Sequence, residues 1–183
     1  MSTEVVAFIA CFLFACSTSL FWSPNPLGPS AHPAKPHRTF PAFYALYLLQ
    51  HRKPLTKVTH VVGTLLFFSF CYGEPRLLLG VSAAVGVGSL LCPLFRHHAH
   101  GAVEGACALG AYLAVGRWAT GGWRAVVLAP LCAYFWAWLG HFAVEGNRPA
   151  TFIYPSYSLL GDFRMLVELA TFSLAWDGSD AHP

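Results

Sequence analysis

The sequence predicts an all-α, polytopic membrane protein with about four transmembrane helices preceded by an N-terminal apolar segment. Three observations lead there. Of 183 residues, 56% are hydrophobic and only 10% are charged, whereas soluble domains carry about a quarter charged residues. So few charges cannot coat a water-facing surface, and mean hydropathy is accordingly +0.52. Four apolar stretches of helical length follow one another, separated only by the short breaks GEPR, RHHAHG and TGGWR. Threading four spans also gathers most basic residues and most histidines on one side. The net charge of +3 is modest, and no dense basic cluster tracks a phosphate backbone, which argues against a nucleic-acid partner.

Residues 5–22 form the first apolar segment. Their leading MSTE is acidic where a secretory signal prefers positive charge, so the segment reads as a signal-anchor or extra helix, with a cleaved signal as the alternative. Residues 23–39 are a proline-rich linker, because proline removes backbone donors and fixes φ. His32 and His37 are read there as solvated. A helical membrane domain then occupies residues 40–176, and residues 177–183 form a flexible tail. FPAFYALYLLQ (40–50) reads as an aromatic-rich amphipathic helix that Pro54 stops. The predicted spans are 58–72, 77–95, 102–119 and 125–141. The first is short for a bilayer needing about 20 residues, which implies tilt, re-entrance or shielding by neighbours. Glycines in the middle two, such as Gly80, Gly88 and Gly105, suit close helix approach in lipid. The six cysteines lie in apolar stretches without CxxC or zinc-finger spacing, and read as small packing residues.

With four spans, Lys35, Arg38, Arg52, Lys53, Lys57, Arg96, Arg148 and Arg164 share one face, and Arg76, Arg117 and Arg124 the other. The first face is then cytoplasmic. It also holds His51, His60, His97, His98, His100 and His141. Neutral imidazole is the commonest protein ligand for transition metals. His51 closes the aromatic helix and His60 opens the first span, with Pro54 turning the chain between them. His141 and Glu145 lie four apart, on one face of the helix leaving the membrane. Three imidazoles and a carboxylate would make an open site for a redox-active metal. The plainer readings are interfacial capping histidines and a Glu145–Arg148 ion pair. RHHAHG offers a second cluster, read either as a polar interfacial loop or, with Glu104, as a second metal site.

FPAFYALYLLQHRKPLTKVTHVVGT (40–64) and YFWAWLGHFAVEGNRPATFIYPSYSLLGDFRM (134–165) together resemble a family of small ER and bacterial membrane proteins. Its characterised branch is the iron(II)-dependent 2-hydroxy fatty acid dioxygenases of fatty-acid α-oxidation. The resemblance puts His51, His60 and His141 on the family's histidines and Glu145 on its acidic position. Arg148, Pro149 and Ala150 match its RPA, and Gly161, Asp162 and Phe163 its GDF. Lys53 and Thr56 depart from it, as does Gly146. The resemblance implies Fe(2+) held by the three histidines, O2 and a 2-hydroxy long-chain fatty acid as substrates, and loss of one carbon. It implies an integral protein of the endoplasmic reticulum, with the histidine face cytoplasmic. Glu145 would be a fourth ligand or would orient His141, and Arg148, or else Lys53, would pair with the substrate carboxylate. Phe43, Tyr44 and Tyr47 are candidate walls for the head end. The competing reading is a non-catalytic membrane scaffold or lipid-binding protein descended from the enzyme. A small transporter fits less well, because the ionisable residues sit near span ends.

Overall fold

Residues 30–179, with the isolated positions 3 and 6, are described by the computed structural model of the chain. Apart from position 6, the expected anchor over residues 5–22 lies outside the described residues, as do residues 23–29 of the linker and the end of the tail. Among the described residues from 30 onward six α-helices follow in order: α1 (Phe40–Leu49), α2 (Pro54–Gly73), α3 (Leu77–Leu94), α4 (Ala102–Thr120), α5 (Arg124–Leu139) and α6 (Pro155–Ala170). A π-helical turn, Gly140–Glu145, prolongs α5, and a 3-10 turn, Ala150–Phe152, leads into α6. Among the described residues there is no strand.

Local chemistry sets the helix starts. Thr39 Oγ1 accepts the Ala42 N–H at 3.4 Å, capping α1. Pro54 sits at the head of α2, where its missing N–H is harmless and its fixed φ already suits a helix. It therefore opens α2 as well as closing off α1. With Pro54–Lys57 included, α2 has 20 residues, enough to reach across about 30 Å of hydrocarbon. The expected short first span is thus a full-length helix.

Among the described residues three segments are long and apolar enough to cross a membrane: Pro54–Gly73, Leu77–Leu94 and Arg124–Glu145. That is one fewer than predicted. The stretch expected as the third span does form a helix, α4, but Glu104 and Arg117 fall within it and much of the rest is glycine and alanine. These residues are weakly hydrophobic, so the length is present while the apolar content is not.

The helices assemble as two pairs. α3 packs mainly on α4, and α2 mainly on α5, while contacts between the pairs are sparse. Helix α6, absent from the predicted elements, lies under one end and touches α1, α2, α3 and α4. Its buried Tyr157, Gly161, Met165 and Leu169 repeat every four residues, the spacing of one helix face. The described part of the linker forms no helix, yet it is tied down. The His32 N–H donates to Arg96 O at 2.9 Å. The His37 N–H donates to Tyr154 Oη at 3.0 Å. Lys35 Nζ meets Glu104 Oε1 at 3.3 Å, with both side chains buried.

Candidate metal centre

The ends of three elements meet above α6. His51 follows α1, whose C-terminal turn continues through the bond from the His51 N–H to Leu48 O at 3.0 Å. His60 lies in the second turn of α2, and His141 in the π-helical turn after α5. Ring centroids are 4.4 Å apart for His51 and His60, 4.7 Å for His51 and His141, and 5.0 Å for His60 and His141. One ligand atom from each lies within 4.8 Å of the other two. All three rings are buried. Among the described residues this is the one group of three or more metal-ligating side chains so arranged.

The second nitrogen of each ring decides what the first can do. Nδ1 of His51 faces Tyr47 O at 2.6 Å, and a carbonyl oxygen can only accept. Nδ1 of His60 faces the Asp162 carboxylate at 2.9 Å. Nδ1 of His141 faces Asn147 Oδ1 at 2.7 Å. That amide is oriented by its own Nδ2, which donates to Gln50 O at 3.0 Å. Each ring therefore carries its proton on Nδ1 and turns a bare Nε2 inward. This is how metal-bound histidines are held.

Between His51 and His60 the two Nε2 atoms are 3.2 Å apart. Two lone pairs at that distance repel unless a cation lies between them. Nitrogens sharing one ion at about 2.1 Å would be separated by about 3.0 Å at a right angle and about 3.4 Å at a tetrahedral angle. The observed spacing falls inside that range. Burial, with help from the other two imidazoles, holds His51 well below the usual histidine range. Its ring is neutral at pH 7, the form that binds metals. The donor set fits a transition metal.

The π turn explains which sequence neighbours join the site. Its wider winding ends at Gly146, in the left-handed region at φ +74°. The N–H groups of Gly146 and Asn147 both reach back to His141 O, at 2.8 and 3.1 Å. The chain thus doubles back and lays Asn147 against the ring six positions earlier. An ordinary α-turn would have brought Glu145 there instead. Glu145 accepts the Lys53 N–H at 2.7 Å, while Lys53 Nζ donates to Val144 O at 2.6 Å. These two bonds clasp the π turn to the start of α2. At Gly140 a side chain would overlap Thr59 Oγ1 of α2, so the close approach there depends on glycine.

The structure brings His51, His60 and His141 together and leaves Glu145 outside the group. The acceptor beside His141 is Asn147. Arg148 is exposed and stands over the Phe152 ring at 5.8 Å. Phe43, Tyr44 and Tyr47 are buried against α6 rather than lining an open space. Tyr47 stacks on His51 with centroids 4.0 Å apart, and its hydroxyl donates to Asp162. Asp162 and Asn147 are the partners that sequence reasoning assigned no role. Asp162 had a signal, its place in the Gly161–Asp162–Phe163 stretch that matches the family's GDF. Asn147 had none without the π turn. Among the described residues His97, His98 and His100 do not join a second ligand group, and Glu104 is engaged by Lys35.

A cavity of about 680 Å³ rises from this end between the two helix pairs, well within the range of about 300–1,000 Å³ typical of small-molecule sites. His60 and Asp162 lie at its base, and its walls are mostly apolar side chains of α2 to α5. A family model described as 2-hydroxy-palmitic acid dioxygenase Mpo1-like matches residues 37–174. No curated protein and no solved structure matches the chain.

Proposed function

The chain belongs to the Mpo1-like family, and from that premise we propose that it is an iron(II)-dependent dioxygenase that shortens 2-hydroxy long-chain fatty acids by one carbon with O2. The observation that carries this reading is the convergence of three tethered imidazoles at the base of an apolar cavity. His51, His60 and His141 would hold Fe(II) through Nε2. Bound there, the metal would supply a centre for O2 and for the substrate's hydroxyl and carboxylate.

The remaining roles belong to the chain itself. Asp162 accepts from both His60 and Tyr47, fixing the imidazole plane and raising its basicity as a ligand. Asn147 does the same for His141. Glu145 acts through Lys53, holding α2 and the π turn in register so that two ligands keep their spacing. Lys53 Nζ donates to Val144 O and Lys53 does not line the cavity, which makes Arg148 the better partner for the substrate carboxylate. Its neighbour Phe152 lines the cavity, so a charge-assisted pair there would hold the head group while the tail lies among the helices. The basic residues at the histidine end support membrane insertion with that end cytoplasmic, and the endoplasmic reticulum is the membrane that the family resemblance implies.

Two measurements test the reading. Purified protein should carry about one iron per chain, and His51→Ala and His141→Ala should each lose it. Full iron in both variants would remove the metal assignment. Iron-loaded protein given 2-hydroxypalmitate and O2 should yield the acid one carbon shorter by mass spectrometry. Recovery of unchanged substrate alone would remove the reaction.

A further inference from the structure

The cavity has two unlike ends. On α2 its lining runs from His60 to Phe67, on α3 from Ser89 to Val81, and on α4 from Ala102 to Tyr112. The second-named residues lie away from α6. The Tyr112 backbone stands beside Gly80, at the start of α3. The ten helical steps from Ala102 to Tyr112 span about 15 Å. Halfway up, the cavity is open at the side: Leu131 and Phe135, both in its lining, are 59% and 61% exposed. At the far end it is shut, with Tyr112 and Val81 only 5% and 4% exposed. α4 and α5 touch each other little, so the side opening falls on their seam, toward lipid. The Tyr112 hydroxyl is buried without a hydrogen-bond partner, an arrangement that costs stability and leaves the ring as the useful part of the side chain.

We infer that Tyr112, backed by Val81 and Phe67, is the stop against which the ω end of a saturated acyl chain rests, and so sets the preferred chain length. This rests on the dioxygenase reading for the identity of the head group. The occupant is the single acyl tail of the substrate, because the cavity joins the His60–Asp162 base without interruption. A tail that slides in sideways through the α4–α5 seam leaves lipid for an equally apolar wall, so length is judged by fit and not by solvation. One methylene too many or too few in a closed apolar pocket discriminates by about tenfold.

The test is a homologous series of saturated 2-hydroxy fatty acids, measured both for turnover and for displacement of a fluorescent fatty acid from the iron-loaded protein. Tyr112→Ala should move the tightest-binding chain to a longer one, with relative affinities at the ends of the series changing about tenfold. Tyr112→Phe should leave the profile where it is. Ala84→Phe, which fills the cavity from α3, should move the preference to shorter chains, a shift that only a folded protein can give. A binding profile left unmoved by Tyr112→Ala would overturn the stop, whether or not Ala84→Phe shifts it. A shifted binding profile with no turnover of any acid would sustain the stop and remove the reaction, whereas turnover with an unshifted profile would do the reverse.

Discussion

Two groups of three histidines lie in this molecule, and they behave differently. His97, His98 and His100 are adjacent in sequence, and the His97 and His98 rings are 4.2 Å apart. That is closer than any pair in the buried trio, whose nearest centroids are 4.4 Å apart. His97 and His100 are nevertheless exposed. One tether holds His97, whose Nδ1 faces Leu94 O at 2.9 Å. His51, His60 and His141 come from three separate elements, and each has its outer nitrogen bound by an oxygen acceptor from the protein. Ring proximity does not make a metal site. What makes one is burial, a fixed tautomer and lone pairs aimed at a common point.

The largest expected effect tests that contrast at its root. His60→Ala or His141→Ala should abolish stoichiometric metal binding, measured by elemental analysis of purified protein. A variant retaining its metal would erase the distinction between the two groups. Next come the acceptors. Asn147→Ala and Asp162→Asn leave every ligand in place but loosen its ring, and each should weaken metal affinity about 10- to 100-fold in chelator competition. Unchanged affinity would mean that the outer tethers are incidental. A smaller effect is expected where backbone spacing is set. Gly140→Ala inserts a methyl against Thr59 and should cost about 1–3 kcal/mol in chemical unfolding, with metal affinity falling in parallel. The smallest belongs to the exposed cluster. Replacing His97, His98 and His100 together by alanine should leave metal content intact and change stability by no more than about 0.5 kcal/mol each.

Much of this was legible in the sequence. The helical stretches follow from runs of apolar residues, and the three ligand candidates from histidines that flank them. The missing parts are those where local rules give way. Glu145 sits four residues from His141, the right separation on an α-helix, but a π turn there swings it toward Lys53 and delivers Asn147. Asp162 lies 102 positions from His60, so only the docking of α6 joins them. α4 has the length of a span, while Glu104 and Arg117 deprive it of the apolar content. Proline excluded regular structure from residues 30–39, but nothing in that composition announced that Lys35 would be buried.

That lysine bears on where the autonomous folding unit begins. The family match starts at residue 37, so a protein trimmed to the matched region would part Glu104 from the lysine it is ion-paired with. An enclosed carboxylate without its counter-ion is worse off by about 3–5 kcal/mol, or must take up a proton. The smallest piece that keeps its own architecture therefore reaches upstream of the family boundary, and a trimmed chain would fail first at the mouth of α4, which is also a wall of the cavity above the three histidines.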